Sequence, residues 1–134
     1  MFRHFSKYLQ RKPGEPAIDF SGIWVNELGS EMELIVQEGR VSGNYRTAVG
    51  RASPTERFDL TGFATRDRIV FCVKFGSYGT LGAWTGLHSE EKGVEEIYSL
   101  WHLPRDIQDD EEAKDYRWSA ILTGVNTFKR KGAS

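Results

Sequence analysis

Cysteine is nearly absent from this chain: Cys72 is the only one in 134 residues. No intrachain disulfide and no cluster of thiolate zinc ligands can form. A chain of this length suits one domain and buries roughly two thirds of its unfolded surface, so it needs no cross-link to stay folded. There is also no run of 18 apolar residues, which leaves no candidate membrane-spanning helix. Charge of one sign is not in excess: 18 Lys and Arg face 19 Asp and Glu, for a net charge of -1. That balance argues against a dedicated nucleic-acid partner, because neutralising phosphates needs a basic surface. Histidine is limited to His4, His88 and His102. None stands in a recognisable order with Asp and Ser, and no glycine-rich phosphate loop is followed by Lys and Ser or Thr. With no acid–base pair legible, the chain is not expected to be an enzyme.

The chain is rich in aromatics and glycine: four Trp, five Tyr, eight Phe and 14 Gly. Residues 1–14 carry Arg3, Lys7, Arg11 and Lys12 with no acidic residue, and Pro13, Gly14 and Pro16 follow. Residues 1–19 therefore read as a flexible arm ahead of a domain at 20–130, with a short tail at 131–134. No secretory leader is legible, which leaves localisation open, cytoplasmic unless a leader was removed.

From Phe20 the chain alternates with turn punctuation, as in an all-β protein. Eight strands are predicted: 22–26, 31–37, 40–49, 57–65, 68–75, 81–88, 94–103 and 116–124, the last with a tail to Phe128. Glu38–Gly39 and Arg66–Asp67 read as hairpin turns. Successive hairpins joined by short connections favour an eight-stranded antiparallel up-and-down β-barrel, which removes exposed sheet edges. Such a barrel has room inside for packed side chains or one small ligand. The segment from Pro104 to Asp115 is an acidic loop whose spacing fits no calcium site, so no metal is expected. Cys72, between Phe71 and Val73, reads as a strand thiol packed like a small hydrophobe. Alternation places Tyr45, Thr47 and Val49 on one strand face, and Ile97, Ser99, Trp101 and Leu103 on another. His102 then lies on the face opposite Trp101. Trp84 and Trp118 add apolar walls, Asn26 and Ser30 flank a sharp turn, and Trp24 reads as barrel packing. Aromatic walls with a few convergent polar groups suit a small, mostly apolar ligand with one polar head.

The order of these residues resembles the avidin and streptavidin family. The resemblance is carried by Gly22-Ile23-Trp24-Val25-Asn26-Glu27-Leu28-Gly29-Ser30 and by Gly43-Asn44-Tyr45-Arg46-Thr47-Ala48-Val49-Gly50. Leu60-Thr61-Gly62, Trp84-Thr85-Gly86, Ile97 to Leu103 and Gly124-Val125-Asn126-Thr127-Phe128 follow in the same order. It implies a non-enzymatic biotin-binding barrel with no cofactor, biotin being the ligand. By that resemblance, Asn26, Ser30 and Tyr45 donate to the ureido oxygen, while Thr47 and Asn126 accept from the ureido N–H groups. Phe75, Trp84, Trp101 and Leu103 wall the bicyclic ring. Val49, Gly50 and Arg51 lie where a lid loop meets the carboxylate tail, and Thr80 offers that carboxylate a hydroxyl. Trp118 falls on the aromatic that family members lend to a neighbouring subunit, which implies a homotetramer built as a dimer of dimers.

The chain departs from the family at two walls. Phe75 stands where the family usually has Trp, and Gly82 where it usually has Thr. Both changes remove contacts, and each truncation costs about 1–3 kcal/mol, so binding weaker than in typical members is expected. Two alternatives follow: an avidin-like or lipocalin-like barrel that takes a different small ligand, or an oligomeric assembly protein with a vestigial pocket.

Overall fold

A computed structural model describes residues 17–48, 55–105 and 119–132. The strands are β1 (Gly22–Asn26), β2 (Glu31–Gln37), β3 (Arg40–Arg46), β4 (Phe58–Thr65), β5 (Arg68–Phe75), β6 (Thr80–Glu91), β7 (Val94–Pro104) and β8 (Ile121–Arg130). Each pairs antiparallel with its sequence neighbour, and β1 pairs with β8, so the sheet closes into a barrel. The closing register sets Trp24 opposite Arg130 and Asn26 opposite Phe128.

Alternation decides the inner face. In β2, Met32 and Leu34 are buried while Ile35 is exposed, and in β5 Phe71 and Val73 are buried. The same rule corrects the reading of Cys72, which faces outward and is exposed. With Phe71 and Val73 both inside, the residue between them has to point out. His102 is also exposed, opposite Trp101 as alternation predicts.

Two ends differ in how they are closed. At one end the hairpins are tight. Glu38 and Gly39 have φ of 52° and 78°, and Lys92 and Gly93 have φ of 53° and 79°, the paired positive values of a turn matched to strand twist. The chain ahead of β1 covers this end: the Ile18 N–H donates to the Arg66 carbonyl, and Phe20 is fully buried. Phe20 and Trp24 lie against His88, with both rings edge-on to the imidazole. The Trp24 indole N–H donates to the Phe20 carbonyl at 2.9 Å. At the other end the connections after β3 and β7 are long, and among the described residues the barrel is open there.

Three strands differ from expectation by more than one residue at an end. β3 stops at Arg46 rather than Val49, because its two ladders end where its neighbours begin, β2 at Glu31 and β4 at Phe58. β6 runs on to Glu91, paired with Val94 across a tighter turn than the sequence suggests. β8 begins at Ile121, opposite Pro104. Proline has no N–H to extend the ladder, and β8 must reach Arg130 to meet β1. Residues 1–16 of the expected arm over 1–19, residues 106–115 of the expected acidic loop over 104–115, and Trp118 lie outside the described residues.

Candidate functional site

The open end of the barrel holds a cavity of about 160 Å³ lined by Asn26, Leu28, Ser30, Tyr45, Thr47, Phe75, Trp84, Trp101, Leu103 and Asn126. A larger groove, about 610 Å³, lies outside the barrel against Ile35, Arg40 and Phe63.

The polar side of the cavity is built by the turn between β1 and β2. The Asn26 Oδ1 accepts the N–H groups of Leu28 and Ser30, both at 3.0 Å. The backbone closes the same turn, with Gly29 at a φ of +87° that favours glycine. Since both N–H groups claim the amide oxygen, the Asn26 Nδ2 has to face the other way, and it lies 3.5 Å from the Tyr45 hydroxyl. The Ser30 Oγ accepts from the Ala48 N–H at 2.9 Å, which leaves the hydroxyl proton for donation. Tyr45 is buried, and burial raises its phenol above the ordinary value, against the pull of hydrogen bonds with Ser30 and Asn26. The nearby Glu27 charge adds to the rise. The phenol therefore stays protonated near neutral pH. Three donors, from β1, from the residue just ahead of β2 and from β3, thus meet at one place.

The opposite side is Asn126, on β8. Its Oδ1 accepts from the Trp84 indole N–H at 3.1 Å, and its Nδ2 donates to Glu27 at 2.9 Å. Ser99 donates to the Asn126 backbone carbonyl at 2.8 Å. The Thr127 N–H donates to the second Glu27 oxygen at 2.9 Å. Burial raises the Glu27 pKa, but the hydrogen bonds from Asn126, its own backbone and Thr127 outweigh it and hold the carboxyl below its usual range.

The walls are aromatic. Trp84 stacks on Phe71 with centroids 5.3 Å apart and planes 8° off parallel, and it touches Tyr45 on its other flank. Trp101 lies flat on its cross-strand neighbour Gly124: a Cβ there would stand 2.4 Å from Trp101 Cζ2. Phe75 meets Tyr45 and Phe58 edge-on, the latter at 4.9 Å.

Nine residues singled out from the sequence therefore line one cavity: Asn26, Ser30, Tyr45, Thr47, Phe75, Trp84, Trp101, Leu103 and Asn126. Thr80 begins β6 at the rim, where its hydroxyl donates to the Pro104 carbonyl at 3.0 Å, and it does not line the cavity. Val49, Gly50, Arg51 and Trp118 lie outside the described residues. Sequence reasoning missed Leu28 and Glu27. Leu28 left a signal, an apolar residue in a three-residue polar turn. Glu27 left none, because its partner is 99 residues away.

Comparison with known proteins agrees with this architecture. The avidin family model matches residues 15–131. No curated protein sequence matches. Among solved structures the chain is similar to xenavidin, at 28% identity and a TM-score of 0.71, over 86% of this chain and 99% of that one. It is similar to rhizavidin in complex with biotin, at 28% identity and a TM-score of 0.68, over 82% of this chain and 98% of that one. It is also similar to a biotin-binding protein from chicken, at 25% identity and a TM-score of 0.69, over 84% of this chain and 95% of that one. By the family model and the barrel it folds into, this chain belongs to the avidin family.

Proposed function

We propose that the protein binds biotin at the open end of the barrel, without chemical conversion and without a cofactor. The observation that carries this reading is the convergence of Asn26, Ser30 and Tyr45 opposite Asn126 in one aromatic-walled cavity. Three preorganised donors aimed at one carbonyl draw negative charge onto the ureido oxygen and strengthen each bond. The Asn126 Oδ1 has a second lone pair for a ureido N–H, and Thr47 takes the other. The rings of Trp84, Trp101 and Phe75 enclose the bicycle, while the acyl tail leaves through the mouth toward Thr80. Titration calorimetry with biotin tests the reading. Saturable heat with one site per chain, and a rise in melting temperature, are expected. No heat and no thermal shift at saturating biotin would overturn it, and a different molecule copurifying with the protein would point to another ligand.

Affinity below that of typical family members is part of the proposal, because Phe75 is smaller than the usual Trp. Gly82 needs a different account. A Cβ at this position would stand 2.9 Å from Trp84 Cζ3 and 3.1 Å from Cη2, so the glycine makes room for the indole. Gly82→Thr, which restores the usual family residue, is therefore expected to lower biotin affinity about tenfold rather than raise it. Calorimetry beside tryptophan fluorescence checks this: tighter binding with an unshifted spectrum contradicts the packing argument.

Self-association as a dimer of dimers belongs to the same proposal. The outer faces of β5–β8 expose Val70, Leu87, Tyr98, Leu100 and Val125 across adjacent strands. A monomer rarely leaves such a patch in water. In the biotin titration sample, light scattering is expected to give four chain masses, with Trp118 lent across the interface.

A further inference from the structure

We propose that Glu27 is a positioning residue: its carboxylate locks the Asn126 amide with the oxygen turned to the cavity, and its charge requires an amide, not a carboxylate, at position 126. The inference rests on reading Asn126 as an acceptor for the ligand.

An asparagine side chain can be turned over, exchanging its oxygen and nitrogen. Here the two partners allow only one arrangement. The Trp84 indole N–H can only donate, and an ionised carboxylate can only accept. With the indole on Oδ1 at 3.1 Å and Glu27 on Nδ2 at 2.9 Å, both needs are met. Turned over, the amide sets N–H against N–H and oxygen against carboxylate. Glu27 is held in place itself, because its second oxygen accepts the Thr127 N–H and so ties the β1–β2 turn to β8. The hydrogen bond to a charged acceptor also polarises the amide, which makes Oδ1 a better acceptor for an incoming N–H.

The same geometry sets what position 126 can be. A carboxylate accepts an N–H more strongly than a neutral amide does, so Asn126→Asp alone would be expected to tighten binding. In this chain the new oxygen would replace Nδ2 at 2.9 Å from the Glu27 oxygen. Two like charges at that distance do not both stay ionised and in place; they separate or share a proton. Either outcome turns the acceptor away from its task. Replacing Glu27 with neutral Gln removes the repulsion and supplies an amide N–H₂ to meet the new carboxylate.

The experiment is a cycle of wild type, Glu27→Gln, Asn126→Asp and the double variant, with Glu27→Ala as a fifth protein. Each is titrated with biotin and melted by circular dichroism. Asn126→Asp is expected to lose at least thirtyfold in affinity, and the double variant to regain at least tenfold of it. Glu27→Gln is expected to bind at least fivefold more tightly than Glu27→Ala, since Gln still offers an oxygen to Nδ2. The Asn126 side-chain amide resonances should move in Glu27→Ala. Additive effects in the cycle, or Asn126 resonances that do not move, would overturn the proposal. If the wild type gives no heat with biotin, the biotin reading fails on its own. The coupling is then judged from the melts and the resonances: non-additive melting temperatures support it and additive ones reject it.

Discussion

Asn26→Ala is expected to lower biotin affinity about 100- to 1000-fold, a loss of about 3–4 kcal/mol. The size comes from two roles in one side chain. The Asn26 Oδ1 accepts two backbone N–H groups and so holds the turn that carries Leu28 and Ser30. Its Nδ2 points at the Tyr45 hydroxyl and belongs to the donor set. Alanine removes the donor and loosens the turn, which also costs about 1 kcal/mol of stability, by analogy with loss of a capping side chain. Asn26→Asp separates the roles. Its carboxylate still accepts both N–H groups, so the turn and the melting temperature are kept, while the donor is lost and a negative charge faces the ureido oxygen. Calorimetry and thermal melts on the two variants check this. An aspartate variant that binds like the wild type would remove Asn26 from the donor set.

Arg130→Met is expected to destabilise the barrel by about 3 kcal/mol, the cost of breaking a partly buried ion-pair network, and to lower the melting temperature by roughly 10 °C. Arg130 stands where β8 closes onto β1, and its guanidinium lies 4.3 Å from the Trp24 ring. It donates to Glu95 at 2.6 Å and to the carbonyls of Ser21 and Asp19 at 2.7 and 2.9 Å. Glu95 also meets His88 at 3.0 Å. The Arg130 hydrogen bond is the chief cause that brings the Glu95 carboxyl down to about 2, with burial opposing it and His88 assisting. Because the folded pKa lies below the unfolded value, this carboxylate stabilises the protein above about pH 4.5, and the contribution is lost as pH falls toward 2. It amounts to about 1–2 kcal/mol once solvent screening of a partly exposed group is allowed for. Denaturant unfolding from pH 2.5 to 7 should show a falling acid limb in the wild type and a flatter one in Arg130→Met. Equal limbs in both would remove the pairing from the account of acid stability.

These two side chains show what kinds of feature a sequence reveals. Asn26 is legible because its partners, Leu28 and Ser30, lie within four residues, and a polar residue ahead of a Leu-Gly-Ser turn has few other uses. Arg130 is not legible. Its value comes from the β1–β8 closure, which brings it to Ser21 across 109 positions. Glu27 and Gly82 follow the same division. Nothing near Glu27 in the sequence marks it out; β8 brings Asn126 and Thr127 beside it. Gly82 reads as a lost contact until the Trp84 indole is seen to occupy the space a side chain would take. Cys72 is the reverse case: alternation alone placed it outside, and the packed reading overlooked its own neighbours.

By itself the sequence determined the strands, the tight hairpin at Glu38–Gly39, the family and most of the residues that line the cavity. These rest on a period of two, on the few residues that accept positive φ, and on short ordered blocks, all of which are local. Only the tertiary structure decided where β3 ends, where β8 begins and ends, how Asn126 is turned, and why Gly82 carries no side chain. A strand ends where its partner ends, and an amide turns to suit groups from distant strands. Both depend on closure of the barrel, which no local stretch of sequence contains.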